Sequence, residues 1–181
     1  MKKISILVLA LICMLVTFVG CGKDVIKISL DKVGDEVVYN RSMVGIGDII
    51  GNNIKNVIDF TDADTKKMGY ITNTVYYNSD TVKGNVTIEK GRYYEAFSDT
   101  ESGKVCRGIL VFLQFKDAES AVSAVETINQ NMNNDKSEDG VFNLNLFGTV
   151  VKKNVVFVYY LRDVQAEYEL RRVFSDNSYD K

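Results

Sequence analysis

The first half of the chain is a series of short segments in which apolar and polar positions follow different periods. Apolar residues alternate with polar ones over 25–30, which predicts a short strand. Isoleucines and valines near helical spacing predict a helix over 46–59. Acidic residues followed by lysines and a glycine predict a helical turn over 61–69, because those charges suit the two ends of a helix. Three further segments suit antiparallel strands joined by short polar turns: 70–78, 81–90 and 92–98, with turns at 78–80 and 90–91.

The last third has longer patterns. An unbroken apolar run predicts a buried strand over 108–115, and Asp117 is expected to cap the helix that follows. The expected inner face of that helix consists of Ala118, Ala121, Val122, Val125, Ile128 and Met132. Two more strands are expected on either side of a hairpin turn at 152–154, and Asp163 is expected to cap a closing helix. The inner face of the closing helix is expected to consist of Ala166, Leu170, Val173 and Phe174.

These elements predict an α+β fold, an antiparallel sheet with packed helices. The order β-α-β-β-α in the last third resembles half of a ferredoxin-like sandwich, a layout that hosts many functions and implies no chemistry. We expect one domain over 25–175 and a polar tail over 176–181. The polar segment 99–104 is expected to be a loop and is the best candidate for an internal boundary.

The first twenty residues differ in character from the rest. Lys2 and Lys3 precede an uncharged stretch that runs from Ile4 to Gly22, a pattern typical of a secretory signal. The alternative is a permanent transmembrane helix, because about nineteen residues at 1.5 Å per residue nearly span a ~30 Å hydrocarbon core. In both cases the lysines hold the start of the chain inside, so the body is expected on the outer side of the membrane.

The end of this stretch, Phe18-Val19-Gly20-Cys21, resembles the lipobox of bacterial lipoprotein precursors. The resemblance implies that residues 1–20 are a signal peptide, cut between Gly20 and Cys21. It also implies that Cys21 carries a covalent diacylglycerol and that residues 21–24 form a short tether. Two acyl chains at ~0.8 kcal/mol per buried methylene give on the order of 20 kcal/mol gross, enough for a stable anchor. We therefore expect a protein held on the cell membrane by lipid and facing the extracytoplasmic side.

The composition restricts the chemistry. The chain contains no histidine, which excludes serine or cysteine hydrolases with a histidine base and removes the commonest nitrogen ligand of zinc. Without Lys2 and Lys3, 20 of the 22 basic residues remain against 24 acidic ones, a net charge of −4. A mildly acidic body has no basic footprint for nucleic acid. Cys106 begins an apolar run and is expected to be a buried, unreactive thiol.

An acidic group in the middle of the chain is a candidate cation site. Asp59, Asp62 and Asp64 are clustered in sequence, as ligands of a hard cation often are. Lys66 and Lys67 follow at positions where further ligands would be needed, and their charge would repel the ion. The pattern favours the start of a helix, so neither a metal nor another cofactor is predicted.

Adjacent tyrosines are the most unusual feature of the predicted strands. They are Tyr76-Tyr77, Tyr93-Tyr94 and Tyr159-Tyr160. Neighbours in a strand point to opposite faces, so one ring of each pair is expected to point inward and the other outward. Aligned outward rings would form an aromatic binding surface, whereas the structural alternative is cross-strand packing that stabilises the sheet.

Three functions agree with these features. The leading hypothesis is a non-catalytic binding module that contacts an envelope protein or a wall component. The alternatives are an accessory subunit of an envelope complex and a carboxylate-based hydrolase acting on wall polymers. The hydrolase requires two facing carboxylates, which are defined by their separation in space. Its candidates in the middle segments are Glu89, Glu95 and Glu101.

Overall fold

A computed structural model describes residues 24–40, 49–61, 87–134 and 146–180, with the backbone alone over 130–134. Within these ranges the chain forms one five-stranded antiparallel sheet and three α-helices. In chain order they are α1 (Leu30–Val38), β1 (Ile54–Phe60), β2 (Lys90–Thr100), β3 (Gly103–Gln114), α2 (Ala118–Asn134), β4 (Leu146–Lys152), β5 (Val155–Leu161) and α3 (Val164–Asp176). The strands lie in the order β1-β2-β3-β5-β4. The α+β class and the β-α-β-β-α order of the last third are confirmed.

Helices cover both faces of the sheet. Helices α1 and α3 pack on one face, and α2 packs on the other, so α2 and α3 do not share one helical layer. Strand β5 is buried at every position, with alternate side chains in the two clusters. A strand covered on both faces requires a continuous apolar run, which explains the sequence of β5.

The caps and turns predicted in the last third are confirmed. Asp117 Oδ1 accepts a hydrogen bond from the Ser120 N–H at 2.8 Å, and Asp163 Oδ1 accepts one from the Ala166 N–H at 2.8 Å. These bonds satisfy amide groups that a helix start leaves unpaired. The hairpin between β4 and β5 turns at Lys153, whose φ is 52°. All four residues predicted on the inner face of α3 are buried.

The inner face of α2 differs from the prediction at Val122. Ala121, Ala124 and Ile128 are fully buried, whereas Val122 is 49% exposed. Positions 121, 124 and 128 lie on one side of a helix of 3.6 residues per turn, and Val122 lies 100° away from Ala121. Met132 falls among the positions described by backbone alone.

Two predictions in the first half are wrong. Residues 25–29 form no strand, because the Ile26 and Lys27 amides bond to other parts of the chain, and helix α1 begins at Leu30. The helix predicted over 46–59 is, where described, a short 3-10 turn at Gly51–Asn53 followed by β1. Pairing of β1 with β2 outweighs a local apolar spacing that suits a helix.

Two predicted turns also differ. Lys90 and Gly91, expected to form a turn, lie inside β2 and pair with Gln114 and Leu113. The loop expected over 99–104 is a tight hairpin turn, since β2 and β3 pair as far as Thr100 and Gly103. Gly103 has a φ of 120°, a conformation that favours glycine. Segment 99–104 is therefore a turn within one sheet.

Both termini of the described domain are fastened at the same end of the sheet. The Ile26 N–H donates to Asn154 Oδ1 at 2.7 Å, and Asn154 Nδ2 donates to the Phe115 carbonyl at 2.7 Å. The Lys27 N–H donates to the Tyr179 carbonyl at 3.1 Å. The side chains of Ile26 and Tyr179 are buried. The segment predicted as a polar tail is thus part of the folded body.

Several predictions fall outside the described residues. They are the signal peptide 1–20, Cys21 and the tether up to 23, the helical turn over 62–69, and the strands over 70–78 and 81–86. None of the helices in the described ranges combines the length and the apolar character of a membrane span.

Candidate functional site

The candidate site is an open groove of about 410 Å³ at one end of the sheet. It lies where the N-terminus of α1 meets the end of β1 and the start of β2. The lining residues are Leu30, Asp31, Asp59, Phe60, Thr61, Lys90, Gly91 and Arg92. We call it the Arg92 groove.

Close packing at Gly91 forms the apolar part of the groove. Gly91 and Phe60 are partners in the β1–β2 ladder, and the Phe60 ring lies directly against Gly91. A side chain at position 91 would collide with that ring, so the position requires glycine. Phe60 is itself buried and connects the groove to the core beneath α2.

Arg92 holds the polar part together. Its Nη1 donates to both carboxylate oxygens of Asp59 at 2.8 Å, and its Nε donates to the Tyr94 hydroxyl at 2.8 Å. Its Nη2 lies 3.6 Å from Asp35 Oδ1. The Arg92 side chain is 15% exposed, and Asp59 is 70% exposed. One guanidinium therefore ties the edge strand β1 to β2 and to helix α1.

Tyr94 connects this network to the core. Its hydroxyl accepts from Arg92 and donates to Asp35 Oδ1 at 2.6 Å. Helix α1 passes directly over the ring at Gly34, where a larger side chain would collide with Tyr94. The Tyr94 ring also makes an edge contact with Phe112, with centroids 5.9 Å apart. Tyr94 is fully buried and cannot reorient without moving α1.

The surroundings of the groove move the pKa values of Tyr94, Arg92 and Asp31 further from neutral pH. Burial, followed by the hydrogen bond to Asp35, raises the pKa of Tyr94 far above its usual value. Burial alone would lower the pKa of Arg92, but its hydrogen bonds to Asp59 and Tyr94 outweigh burial and raise it. A hydrogen bond from Ser29 lowers the pKa of Asp31. The guanidinium thus stays charged and the phenol stays neutral, which suits recognition of polar groups better than proton transfer.

The tyrosine pairs do not form the predicted exposed surface where they are described. Neighbours alternate between faces as expected: Tyr94 and Tyr159 lie under α1 and α3, and Tyr93 and Tyr160 lie under α2. All four are at most 7% exposed, because helices cover both faces. The prediction of an outward aromatic platform is wrong for these four rings, which pack inside the protein. Tyr76 and Tyr77 lie outside the described residues.

The three candidate glutamates of a hydrolase are not brought together. Glu89 precedes β2, Glu95 lies in its middle and Glu101 follows its end, so successive members are six residues apart, or about 20 Å along a strand. Glu95 is buried and accepts hydrogen bonds from Tyr93 at 3.1 Å and from Asn56 at 2.6 Å. The separation of about 20 Å between successive glutamates exceeds the distance between the two catalytic carboxylates of both retaining and inverting glycosidases.

The other chemically reactive candidates have structural surroundings. Asp59 bonds to Arg92, whereas Asp62 and Asp64 lie outside the described residues. Within the described ranges, no group of three or more acidic or cysteine side chains is placed to hold a metal ion. Cys106 is buried, and burial followed by the nearby charge of Glu95 raises its pKa to about 11. This environment agrees with the expected unreactive thiol.

The sequence carried no local signal for the Arg92 groove. Asp59 is 33 positions from Arg92, and Asp35 is 59 positions from Tyr94. Such partners meet only when the strands pair and α1 crosses the sheet. The one local indication of the groove is Gly91, which stands in a segment of strand-forming residues. An isolated glycine in a strand often marks a position where another group packs closely against the backbone.

Comparisons with protein-family models, with curated proteins and with solved structures found no match.

Proposed function

We propose that the chain is a bacterial lipoprotein, anchored through diacylglycerol on Cys21 and facing the extracytoplasmic side. The support is the sequence of the first twenty-two residues: two lysines, an uncharged stretch and the lipobox-like ending at Cys21. The folded body follows closely, since Ile26 is already buried and bonded to Asn154. An anchor so close to the body suits a protein that works at the membrane surface.

Metabolic labelling with an alkyne-bearing fatty acid tests the anchor. The wild-type protein should take up label in the producing bacterium, and Cys21→Ala should abolish it. Cys106→Ala is the matched control and should leave labelling intact, because Cys106 is buried in the core. Label retained by Cys21→Ala would contradict the proposed lipidation site.

The domain on this anchor acts as a non-catalytic binding module, with the Arg92 groove as its binding site. The observation that carries this proposal is the fixed network in which Arg92 is held by Asp59, Tyr94 and Asp35. Charges held in this way lose little conformational freedom when a ligand arrives, which favours recognition.

The charges around the network indicate the ligand chemistry. Lys90 offers an exposed ammonium, while Asp31 and Asp59 offer exposed carboxylates on the same groove. Phe60 also lines the groove, but its ring is buried against Gly91. A peptide segment with groups of both signs, from an envelope protein or a wall peptide, complements this lining.

Photo-cross-linking in whole cells tests the groove. A photoreactive amino acid at Lys90 should give discrete adducts, whereas the same residue at Lys104 should not. Lys104 is the matched control, because it is exposed in β3 next to the β2–β3 turn, at the opposite end of the sheet. The absence of adducts from Lys90, or the same adducts from both positions, would contradict the proposed site.

An accessory subunit of an envelope complex is the second candidate. It is favoured by Val57 and Ile58, which are 40% and 38% exposed on β1, an edge strand of the described sheet. Exposed apolar residues on an edge strand are typical of lateral contacts with another protein. A photoreactive residue at Val57 should then yield one adduct of defined mass, and scattered adducts would count against it.

A further inference from the structure

We infer that one identified end of the sheet is the surface that the anchored domain presents to the bilayer headgroups, and that the Arg92 groove lies at this end. The anchor end is defined by the start of β2 and the β4–β5 turn. The inference rests on the proposed anchor at Cys21. The partner of this end of the sheet is the lipid surface, so a peptide bound in the Arg92 groove would lie beside the headgroups.

The distance from the anchor to the folded body is short. Ile26 is the first buried residue of the described chain, and it bonds to Asn154 in the β4–β5 turn. It lies five residues after Cys21. Five residues span at most about 18 Å even when fully extended. The β4–β5 turn must therefore remain near the membrane whenever Cys21 is inserted.

Strand register locates the groove at the same end. Lys90 pairs with Gln114, Gln114 pairs with Val155, and Lys152 pairs with Val155. One transverse row thus runs from the groove residue Lys90 to the β4–β5 turn. Phe60, opposite Gly91, lies in the adjoining row.

The opposite end of the sheet is remote from the tether. β2 contains 11 residues between Lys90 and Thr100, so the Glu101–Ser102 turn lies about 34 Å from the anchor end. This separation exceeds the reach of the tether. Exposed charges of both signs surround the anchor end, among them Lys116 and Asp180, so the tether and not net attraction fixes the orientation.

Fluorescence quenching in vesicles tests the orientation. Full-length protein would be produced in bacteria, purified from membranes with its native anchor and reconstituted into phosphatidylcholine vesicles containing headgroup spin-labelled lipid. A fluorophore would be attached at Lys116→Cys, next to the end of β3, or at Ser102→Cys, in the far turn. Protein without an introduced cysteine gives the background, which should be low because Cys106 is buried and Cys21 is acylated.

We expect quenching at position 116 to exceed that at position 102 by about threefold or more, because about 34 Å of strand separates the two ends. Insertion of a flexible Gly/Ser segment of about ten residues between Lys23 and Asp24 adds a reach of about 17 Å and should reduce quenching at position 116.

The outcomes separate the two proposals. Labelled protein that does not float with the vesicles would remove the anchor, and this inference with it. Protein that floats but is quenched equally at both positions, or more strongly at position 102, would leave the anchor in place and overturn the orientation.

Discussion

Strands β1 and β5 are both seven residues long but are held in the sheet by different forces. Every residue of β5 is buried, with side chains packed into the clusters on both faces. In β1 five consecutive residues are exposed and only Phe60 is buried. Besides the backbone ladder, side-chain contacts of Asp59 with Arg92 and of Asn56 with Glu95 join β1 to β2. The apolar packing that stabilises the fold thus lies in the centre, and charged groups are available at the edge.

This difference explains where the groove forms. At the centre of the sheet, helices cover both faces and β5 is buried at every position. At the β1 edge apolar burial ends at Phe60, and Asp59 and Lys90 are exposed. We therefore expect substitutions in β5 to affect stability, and substitutions around Asp59 to affect binding.

The largest effect is expected for Phe157→Ala in β5. The Phe157 ring stacks on Phe112 with centroids 4.7 Å apart and also contacts Phe174. Removing it should reduce the free energy of unfolding by about 3–5 kcal/mol, since a cavity is left in a closed core. Urea unfolding of the protein measures the loss. Ile58→Ala in β1 is the matched control and should reduce the free energy of unfolding far less. Equal reductions in the two variants would contradict the difference drawn between β5 and β1.

Asn154→Ala should have the next largest effect. The Asn154 side chain satisfies the Ile26 N–H and the Phe115 carbonyl, both at 2.7 Å. Leaving these buried groups unpaired should cost about 2–4 kcal/mol. Limited proteolysis should also cut near Ile26 sooner. Ser178→Ala, at an exposed position of the same end, should change neither measurement.

Alkaline pH should weaken the centre of the sheet through Tyr159. Burial, followed by its hydrogen bond to Glu167, raises the pKa of Tyr159 to about 12. A raised pKa favours the folded state while the phenol is protonated, and this contribution disappears as pH rises from about 10 to about 12. Melting temperature should therefore fall over that window. Tyr159→Phe should make the decline shallower, and an unchanged decline would assign it to other groups.

The smallest effect on stability is expected for Asp59→Asn. The Asp59 carboxylate is 70% exposed, so its pair with Arg92 contributes about 0.5 kcal/mol or less. Adducts from a photoreactive residue at Lys90 should nevertheless decrease, because Arg92 Nη1 is left with one amide oxygen in place of two carboxylate oxygens. Asp99→Asn, at the exposed far end of β2, should affect neither property. A large loss of stability in Asp59→Asn would mean that β1 depends on this pair.

The sequence predicted those parts of the fold that are determined by nearby residues. Asp117 and Asp163 cap helices through residues three positions away, and β5 is apolar at every position because both of its faces are covered. β1 was misassigned because an edge strand with exposed Val57 and Ile58 has no alternation of apolar and polar positions. An apolar spacing without alternation suits a helix equally well.

The site could not be predicted from local patterns. Arg92 acquires its role only when Asp59 and Asp35 reach it from another strand and from α1. The aromatic surface was predicted wrongly for a related reason. Alternation places Tyr93 and Tyr94 on opposite faces, but it does not say whether each face is covered by a helix.

Intact-mass spectrometry of the protein extracted from the cells that produce it tests the central claim most directly. The account predicts a polypeptide that starts at Cys21 and carries the added mass of a diacylglycerol on that residue. A polypeptide that retains residues 1–20 and has an unmodified thiol at Cys21 would contradict it.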